Sequence, residues 1–247
     1  MKIRILFLII GIAVGAYLGG FLTSQRVSTQ YAYCVQSEQP AGMGSVISFA
    51  TIEMPAVDQN GNGVTTSLDV EVVSGSGKTL TNVDKLFFWT DTQNSIRTAK
   101  SVAEQITGKN LNEVDLIYTI NANATVIEGP SAGAALTIAT IAAIENKSIN
   151  PDVMITGTIN EDGSIGQVGA VLEKAEAAKE IGATLFLVPA RQSVQTVYSP
   201  ERYCRKIGLT QICSFEDTAQ TINVSERAGI EVREVTNIGE ALQYFLV

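Results

Sequence analysis

The stretch Glu128-Gly129-Pro130-Ser131-Ala132-Gly133 runs without a break into Ala134 to Glu145, a segment of small and aliphatic residues with almost no charge. Such a segment predicts a buried helix, and a proline at its start is typical of the first helical position. Ser131 then lies in the first turn, where backbone N–H groups lack intrahelical partners and the helix dipole favours negative charge. This placement stabilises an alkoxide, so Ser131 is a candidate nucleophile. The alternative is that Pro130 and Ser131 only cap a buried helix whose small residues allow close packing.

The absence of histidine decides which base could serve that serine. The segment from Gly129 to Gly133 fits G-x-S-x-G, the nucleophile motif of hydrolases that use a Ser-His-Asp triad. The 247 residues include no histidine, so a triad is excluded and an esterase of that type is excluded with it. A reactive Ser131 therefore needs a lysine or a carboxylate as its base.

Lys174 is the best candidate for this base. The sequence predicts a helix over Val171 to Ile181, with Lys174 near its first turn among apolar residues. A lysine acts as a base near pH 7 when its pKa falls by about 3 units from roughly 10.4, which costs about 4 kcal/mol. Burial or a helix N-terminus lowers the pKa of a lysine, whereas Lys179, near the C-terminal end, would keep its proton. The alternative is a solvated Lys174 that pairs with a neighbouring glutamate.

Apolar patterns from Ser45 onward predict a mixed domain, of class α+β. Two strand-like runs, Val46 to Met54 and Val64 to Val73, flank an Asn- and Gly-rich hairpin turn. Further strands are predicted over 114–120, 153–157, 185–188 and 230–232, and helices over 93–107 and 238–246. The single domain is expected to cover residues 45–247.

No cofactor, metal or nucleic acid is expected. The stretch from Gly75 to Thr79 is similar to the end of a phosphate-binding loop, but Val72 stands where that pattern needs its first glycine. We therefore expect only a glycine-rich turn there. The net charge of -8 and the lack of a basic block argue against nucleic acid. Of the three cysteines, Cys204 and Cys213 could bridge a short loop, or all three could stay free thiols.

The N-terminal residues predict a membrane anchor. Residues 1–4 carry Lys2 and Arg4, and Ile5 to Leu22 follow as 18 uncharged residues, long enough at about 27 Å to cross a bilayer. A cleaved signal peptide is the alternative, but the apolar run is long and no clear cleavage site follows. The basic residues ahead of the helix favour a cytoplasmic N-terminus, so a polar stalk over 23–44 and the domain beyond it are expected outside the cytoplasm.

Three blocks in register carry a resemblance to a known family. They are Glu128 to Gly133, Thr156-Gly157, and the stretch from Gly169 through Lys174 to Pro189. Together they resemble the proteolytic domain of the Lon protease family, endopeptidases with a Ser/Lys dyad. The resemblance covers residues 114–190, extends more weakly over 45–113 and 230–246, and is absent from 191–227.

The resemblance implies roles for three residues. Ser131 would be the nucleophile, Lys174 its general base, and Thr156 would hydrogen-bond within the dyad and help to orient the amine. Glu128 replaces the family's usual aspartate, and Ile117 and Thr119 replace polar or histidine residues on the preceding strand.

The expected function is a membrane-anchored serine endopeptidase that cleaves unfolded or exposed protein segments. The ATP-driven unfolding module of the family has no counterpart in this sequence, so ATP independence is expected. The resemblance also implies a homo-oligomer, a ring of six. The alternative is an inactive Lon-like protein that binds peptides or serves as a scaffold at the membrane, for which the changes at Glu128, Ile117 and Thr119 would be the evidence.

Overall fold

A computed structural model describes residues 45–82, 90–122 and 129–246. The predicted anchor over 5–22, the stalk over 23–44 and Glu128 lie outside these ranges. Within the described ranges, no helix is both long and apolar enough to span a bilayer. The anchor and the domain boundaries therefore stay predictions.

The first sheet has four strands in the order β1-β2-β4-β3. Strand β2 (Gly63–Ser74) runs antiparallel to both of its neighbours, β1 (Val46–Val57) and β4 (Val114–Asn121), and the short β3 (Thr79–Thr81) runs parallel to β4. The predicted hairpin between β1 and β2 is confirmed. Its turn is held by the Asp58 carboxylate, which accepts hydrogen bonds from the backbone N–H groups of Asn60 and Asn62 at 2.8 and 2.9 Å.

Helix α2 (Gly133–Glu145) packs on this sheet, and α1 (Thr90–Thr107) packs on α2. Every residue of α2 from Gly133 to Ile144 is buried, as the uncharged sequence predicts. The helix contacts α1 and also strands β1 and β2, so it lies at the centre of the main core. Ser131, the candidate nucleophile, lies just ahead of the start of this central helix.

The second half forms a parallel three-stranded sheet in the order β11-β8-β5. Its strands are β5 (Val153–Ile155), β8 (Leu185–Pro189) and β11 (Glu231–Val235), and β6 (Thr158–Ile159) and β7 (Ile165–Gly166) form a small separate hairpin. Helices α3 (Val171–Glu180), α4 (Val224–Ala228) and α5 (Ile238–Phe245) complete this half. The α+β class is confirmed, with boundaries that differ from the predicted ones by a few residues.

A long hairpin between β8 and α4 was not predicted. Its strands are β9 (Val194–Ile207) and β10 (Thr210–Asn223), each 14 residues long and paired only with each other. Cys204 and Cys213 lie directly opposite each other and form a disulfide, with Cα atoms 4.0 Å apart. The structure thus settles the pairing that the sequence left open.

Candidate active site

Ser131 lies in a short 3-10 turn, Pro130–Ala132, directly ahead of α2. Pro130 opens the turn as predicted, and Gly129 enters it at φ 108, a left-handed conformation that glycine adopts without strain. Neither this turn nor α2 has a side-chain capping hydrogen bond. The half-buried Ser131 hydroxyl therefore does not act as a helix cap.

Two glycines allow the segment after β5 to approach Ser131. A Cβ atom on Gly133 would lie 2.7 Å from the backbone nitrogen of Ile159, and one on Gly157 would overlap the Ile165 side chain. The close approach is sealed by backbone hydrogen bonds: Gly157 N–H donates to the Ser131 carbonyl and Ala134 N–H donates to the Gly157 carbonyl, both at 3.0 Å. The residue types at these positions thus fix where Thr156 lies.

Thr156 is 1% exposed and contacts the turn that carries the candidate nucleophile. Its hydroxyl donates to the backbone carbonyl of Ser131 at 3.4 Å, a long hydrogen bond. The sequence predicted a hydrogen bond within the Ser/Lys pair, whereas the observed partner is the backbone of Ser131. Thr156 therefore holds the turn in place, and its contact with the lysine stays a prediction.

Lys174 is buried, with 3% of its surface exposed. Burial lowers the pKa of its amine from the usual 10.5 to about 8, against a smaller opposing effect of the Glu173 carboxylate. Within the described part of the chain, the amine forms no ion pair or hydrogen bond that would hold its proton. At pH 7 a pKa of about 8 leaves about a tenth of the molecules with a neutral amine.

The entry to α3 places Lys174 at the first full helical turn. Ala170 adopts φ 54, a left-handed conformation that is uncommon for alanine, and its carbonyl accepts the backbone N–H of Lys174 at 3.1 Å. Helix α3 packs against β1 and β2, which directs Lys174 inward. Lys179, on the same helix, is exposed, as is Lys147, which pairs with Glu145 at 2.6 Å.

An apolar cleft opens beside Ser131, with an empty volume of about 400 Å³ that includes open solvent. It is lined by Met54, Pro55, Ala56, Thr66, Thr92, Ile120, Gly129, Ser131 and Ala132. The sequence reasoning did not find the contributions of β1, β2 and α1 to this cleft. A signal was present, since Met54-Pro55-Ala56 breaks the alternation of exposed and buried residues along β1.

The three predicted site residues are only partly brought together. Ser131 and Thr156 are in contact, and Lys174 belongs to a helix that packs on the two strands that line the cleft. Among the residues that the structure describes, no hydrogen bond joins the Ser131 hydroxyl to the Lys174 amine. Neither Thr156 nor Lys174 lines the cleft. Such bonds are often long in free enzymes and tighten with substrate. The dyad therefore stays a prediction.

Two of the residues that depart from the family pattern, Ile117 and Thr119, have side chains that face away from the cleft. Ile117 and Thr119 are half-buried and alternate along β4 with Leu116, Tyr118 and Ile120. Because successive side chains of a strand point to opposite faces, the two residues face away from Ile120, which lines the cleft. Their identities do not alter its lining.

The glycine-rich turn near β3 is confirmed as structural. The Asp115 carboxylate accepts hydrogen bonds from the backbone N–H groups of Ser76 and Lys78, both at 2.8 Å. These bonds lower the pKa of the Asp115 carboxyl below its usual value. The position that a bound phosphate would need is thus filled by an aspartate of the chain itself.

Comparison with known proteins gives consistent matches. The Lon protease of Phenylobacterium zucineum is 32% identical over 130 residues, which make up 52% of this chain and 16% of that protein. The archaeal Lon protease of Thermoplasma volcanium is 33% identical over 95 residues, 38% of this chain and 14% of that protein. The archaeal Lon protease of Thermococcus kodakarensis is 26% identical over 152 residues, 61% of this chain and 23% of that protein. This chain therefore matches less than a quarter of the length of these relatives.

A match to a protein-family model covers more of the chain than these relatives do. Residues 61–225 match the Lon protease (S16) C-terminal proteolytic domain, so the matched range includes the β9–β10 hairpin, where the sequence analysis found no resemblance. Outside that range, over 45–60 and 230–246, the resemblance stays a prediction. Because the matched range covers well over half of the chain and contains Ser131, Thr156 and Lys174, the chain belongs to the family of Lon protease C-terminal proteolytic domains.

Proposed function

We propose that this protein is a membrane-anchored, ATP-independent serine endopeptidase in which Ser131 is the nucleophile and Lys174 the general base. One observation carries the proposal. Lys174 is 3% exposed, and its pKa is lowered to about 8, so its amine can lose its proton near neutral pH. The helix that carries it packs against the strands that line the Ser131 cleft. A buried lysine without a counter-ion is costly, and such groups cluster at functional sites.

The reaction follows from these groups. The neutral Lys174 amine takes the proton of the Ser131 hydroxyl as the oxygen attacks the peptide carbonyl. The positive end of the α2 dipole stabilises the negative charge that develops beside it. The lysine ammonium then protonates the departing amine, which leaves an acyl-enzyme, and the regenerated neutral amine activates a water molecule that hydrolyses the ester. Thr156 acts as a positioning residue, because it hydrogen-bonds the backbone of the turn that carries Ser131.

Substrates in this proposal are unfolded or exposed protein segments. The cleft beside Ser131 is apolar, and β1, which contributes Met54 to Ala56, is an edge strand of its sheet. An edge strand presents unpaired backbone groups that an extended peptide can pair with. An already extended substrate needs no motor, and casein hydrolysis that is unchanged by added ATP would support this part of the proposal.

A fluorophosphonate serine probe tests the chemistry. We expect it to label Ser131 in the full chain, to label Ser131→Ala not at all, and to label Lys174→Ala far more slowly. Lys179→Ala is the matched control, because it removes an exposed lysine of the same helix. Loss of labelling in Lys179→Ala with full labelling of Lys174→Ala would show that the wrong base was chosen.

The inactive peptide-binding protein remains the second candidate. The observation that favours it is the missing hydrogen bond between the Ser131 hydroxyl and the Lys174 amine, described above. A wild-type protein that binds unfolded casein but reacts with neither the probe nor the peptide bond would select this candidate.

The proposed topology places residues 5–22 in the membrane and the catalytic domain outside the cytoplasm. The Cys204–Cys213 disulfide supports an exported domain, because disulfides persist in oxidising compartments. External protease added to right-side-out vesicles tests the orientation. Digestion of the domain in intact vesicles is the expected result, and protection until the membrane is broken would reverse the topology.

We also propose a homo-oligomer, with six subunits as the family resemblance implies. Edge strand β1 exposes Val46, Ile47 and Phe49 at 56%, 58% and 66%, an apolar surface suited to a subunit contact. Sedimentation of the detergent-solubilised chain gives the subunit number. A monomer at all concentrations would contradict this part of the proposal.

A further inference from the structure

The distal part of the β9–β10 hairpin differs in charge from the rest of the chain. Residues 202–215 contain Arg202, Arg205 and Lys206 and no aspartate or glutamate, whereas the whole chain has a net charge of -8. We call this segment, Arg202 to Phe215, the hairpin tip. Its cations attract an anionic partner that the acidic remainder of the chain repels.

The hairpin tip ends in an apolar point. A two-residue turn, Gly208-Leu209, joins the strands, and Gly208 at φ 62 supplies the left-handed residue that such a turn needs. Leu209 is fully exposed at 103%, and Ile207 and Ile212 on either side are exposed at 50% and 56%. Leu209 and Ile207 therefore meet water at the end of the ribbon, and Ile212 meets water a short distance behind them, opposite Arg205.

The cations form a band behind this apolar point. Arg205 pairs with Ile212, and the next residue, Lys206, pairs with Gln211. Successive residues of a strand face opposite sides, so the two charges lie on both faces of the ribbon, about 7 to 10 Å behind the turn. Tyr203 and Phe215, exposed at 46% and 71%, come next, also on opposite faces. Leu209 and Ile207 thus lie ahead of the cations, Ile212 lies level with Arg205, and Phe215 lies level with Arg202.

None of the residues that the structure describes covers the hairpin tip. The hairpin is joined to the domain at its base, where Val224 N–H donates to the Ser193 carbonyl at 2.9 Å, and every residue from Pro200 to Ile212 is exposed. A two-stranded ribbon alone is marginally stable in water. The Cys204–Cys213 disulfide fixes the strands immediately behind the cations, so the apolar point is presented on a stiff support.

We propose that the hairpin tip is a membrane-contact element that inserts Leu209 and Ile207 into the interface of an anionic bilayer, with Arg205 and Lys206 on the lipid phosphates and Ile212 level with Arg205. An interfacial element buries its apolar groups about 5 to 10 Å deep, which matches the distance from the turn to the cations. Each basic residue near an anionic leaflet strengthens binding, and aromatic residues favour the headgroup level.

A bilayer fits this surface better than a second protein does. A specific protein contact buries about 800 Å² on each partner, and three aliphatic side chains on a convex point offer far less flat area. A fluid lipid surface accepts a convex apolar point without a complementary pocket. The inference goes beyond the proposed peptidase activity, since it depends on neither Ser131 nor Lys174. Together with the proposed anchor it would give the domain a second attachment to the membrane.

Depth-dependent quenching tests the proposal. Full-length Leu209→Trp is reconstituted into vesicles of equal parts phosphatidylcholine and phosphatidylglycerol with brominated acyl chains, and the fluorescence of the natural Trp89 is subtracted with the wild-type chain. Tyr198→Trp is the matched control, because Tyr198 is also exposed, at 69%, but lies 11 residues before Leu209 on the ribbon. We expect strong quenching of Leu209→Trp and little quenching of Tyr198→Trp.

Charge and lipid composition sharpen this test. Adding Arg205→Gln and Lys206→Gln to Leu209→Trp, or omitting phosphatidylglycerol, should reduce the tip-specific quenching severalfold, since each basic residue contributes on the order of a fivefold gain in binding. No quenching above the wild-type background would overturn the proposal. Equal quenching at both positions would show a ribbon that lies flat, and tip-to-tip cross-links without quenching would show a second copy as the partner; either outcome overturns it.

Discussion

Helix α2, of 13 residues, and the β9–β10 hairpin, with two strands of 14 residues, differ in what surrounds them. From Gly133 to Ile144 the helix is buried on every side, and glycine at its start allows another segment to touch its backbone. From Pro200 to Ile212 the hairpin is exposed on both faces and held by its own ladder and a disulfide. Tertiary packing positions the candidate nucleophile, whereas pairing between its own two strands shapes the hairpin. The exposed surface of the hairpin is therefore available to a binding partner. Changes in the two regions should therefore have separable consequences.

The largest expected effect is the loss of peptide-bond cleavage when the proposed dyad is broken. Ser131→Ala and Lys174→Ala should each reduce casein hydrolysis by about a thousandfold or more, because proton transfer and nucleophilic attack both fail. Circular dichroism should show an intact fold. Leu209→Ser in the hairpin should leave hydrolysis of soluble casein unchanged. Comparable loss in Leu209→Ser would break the separation of the two regions.

The next effect is the pH dependence that burial of Lys174 produces. If the neutral amine is the base, activity should rise with pH with a midpoint near 8, the lowered pKa. A midpoint near 10 in the pH–rate profile would show that the amine is not tuned in the resting protein.

The same burial makes a prediction about stability. The folded pKa of about 8 lies below the usual 10.5, so the native state disfavours the charged amine. This penalty is fully present below pH 8, shrinks between 8 and 10.5, and vanishes above the unfolded value. Lys174→Met should therefore raise the free energy of unfolding at pH 7 by up to about 3 kcal/mol, and by less at pH 10. If denaturant titrations gave the same increase in the free energy of unfolding at pH 7 and pH 10, the increase would not come from the buried charge of Lys174.

A smaller effect is expected from adding one methyl group at the start of α2. Gly133→Ala places a Cβ 2.7 Å from the Ile159 backbone, which cannot move aside cheaply, and should lower the free energy of unfolding by about 1 to 3 kcal/mol. Gly169→Ala is the control, because a Cβ there meets no atom within 4 Å. Thermal unfolding that ranks the two variants equally would show that the turn is not tightly packed.

The smallest effect on global stability should come from the hairpin disulfide. Replacing both cysteines, Cys204→Ser with Cys213→Ser, should change the free energy of unfolding by less than about 0.5 kcal/mol, because the hairpin tip adds nothing to the buried core. Hydrogen exchange within residues 202–215 should become faster, since local opening loses its constraint. A large drop in the unfolding midpoint would show that the hairpin tip supports the domain core.

The sequence predicted the segments that carry Ser131 and Lys174, because the signals for these segments are local. Pro130 before an uncharged run predicts a buried helix with Ser131 in its first turn; the buried helix is confirmed, and Ser131 lies in a 3-10 turn directly ahead of it. The missing histidine excluded a triad without any coordinates. The pattern around Val171 predicted a helix with Lys174 near its start, and α3 begins at that residue.

Tertiary structure decided the properties that depend on what packs against what. Lys174 and Lys179 belong to one helix and look alike in sequence, yet Lys174 is buried and Lys179 is exposed, so the fold removes water from the Lys174 amine and lowers its pKa. The cleft beside Ser131 joins residues of β1, β2, β4 and α1, which no single segment reveals. The pairing of Cys204 with Cys213 required the register of β9 against β10. Desolvation, clefts and cross-strand pairs arise between segments that are distant in sequence, which is why local patterns did not determine them.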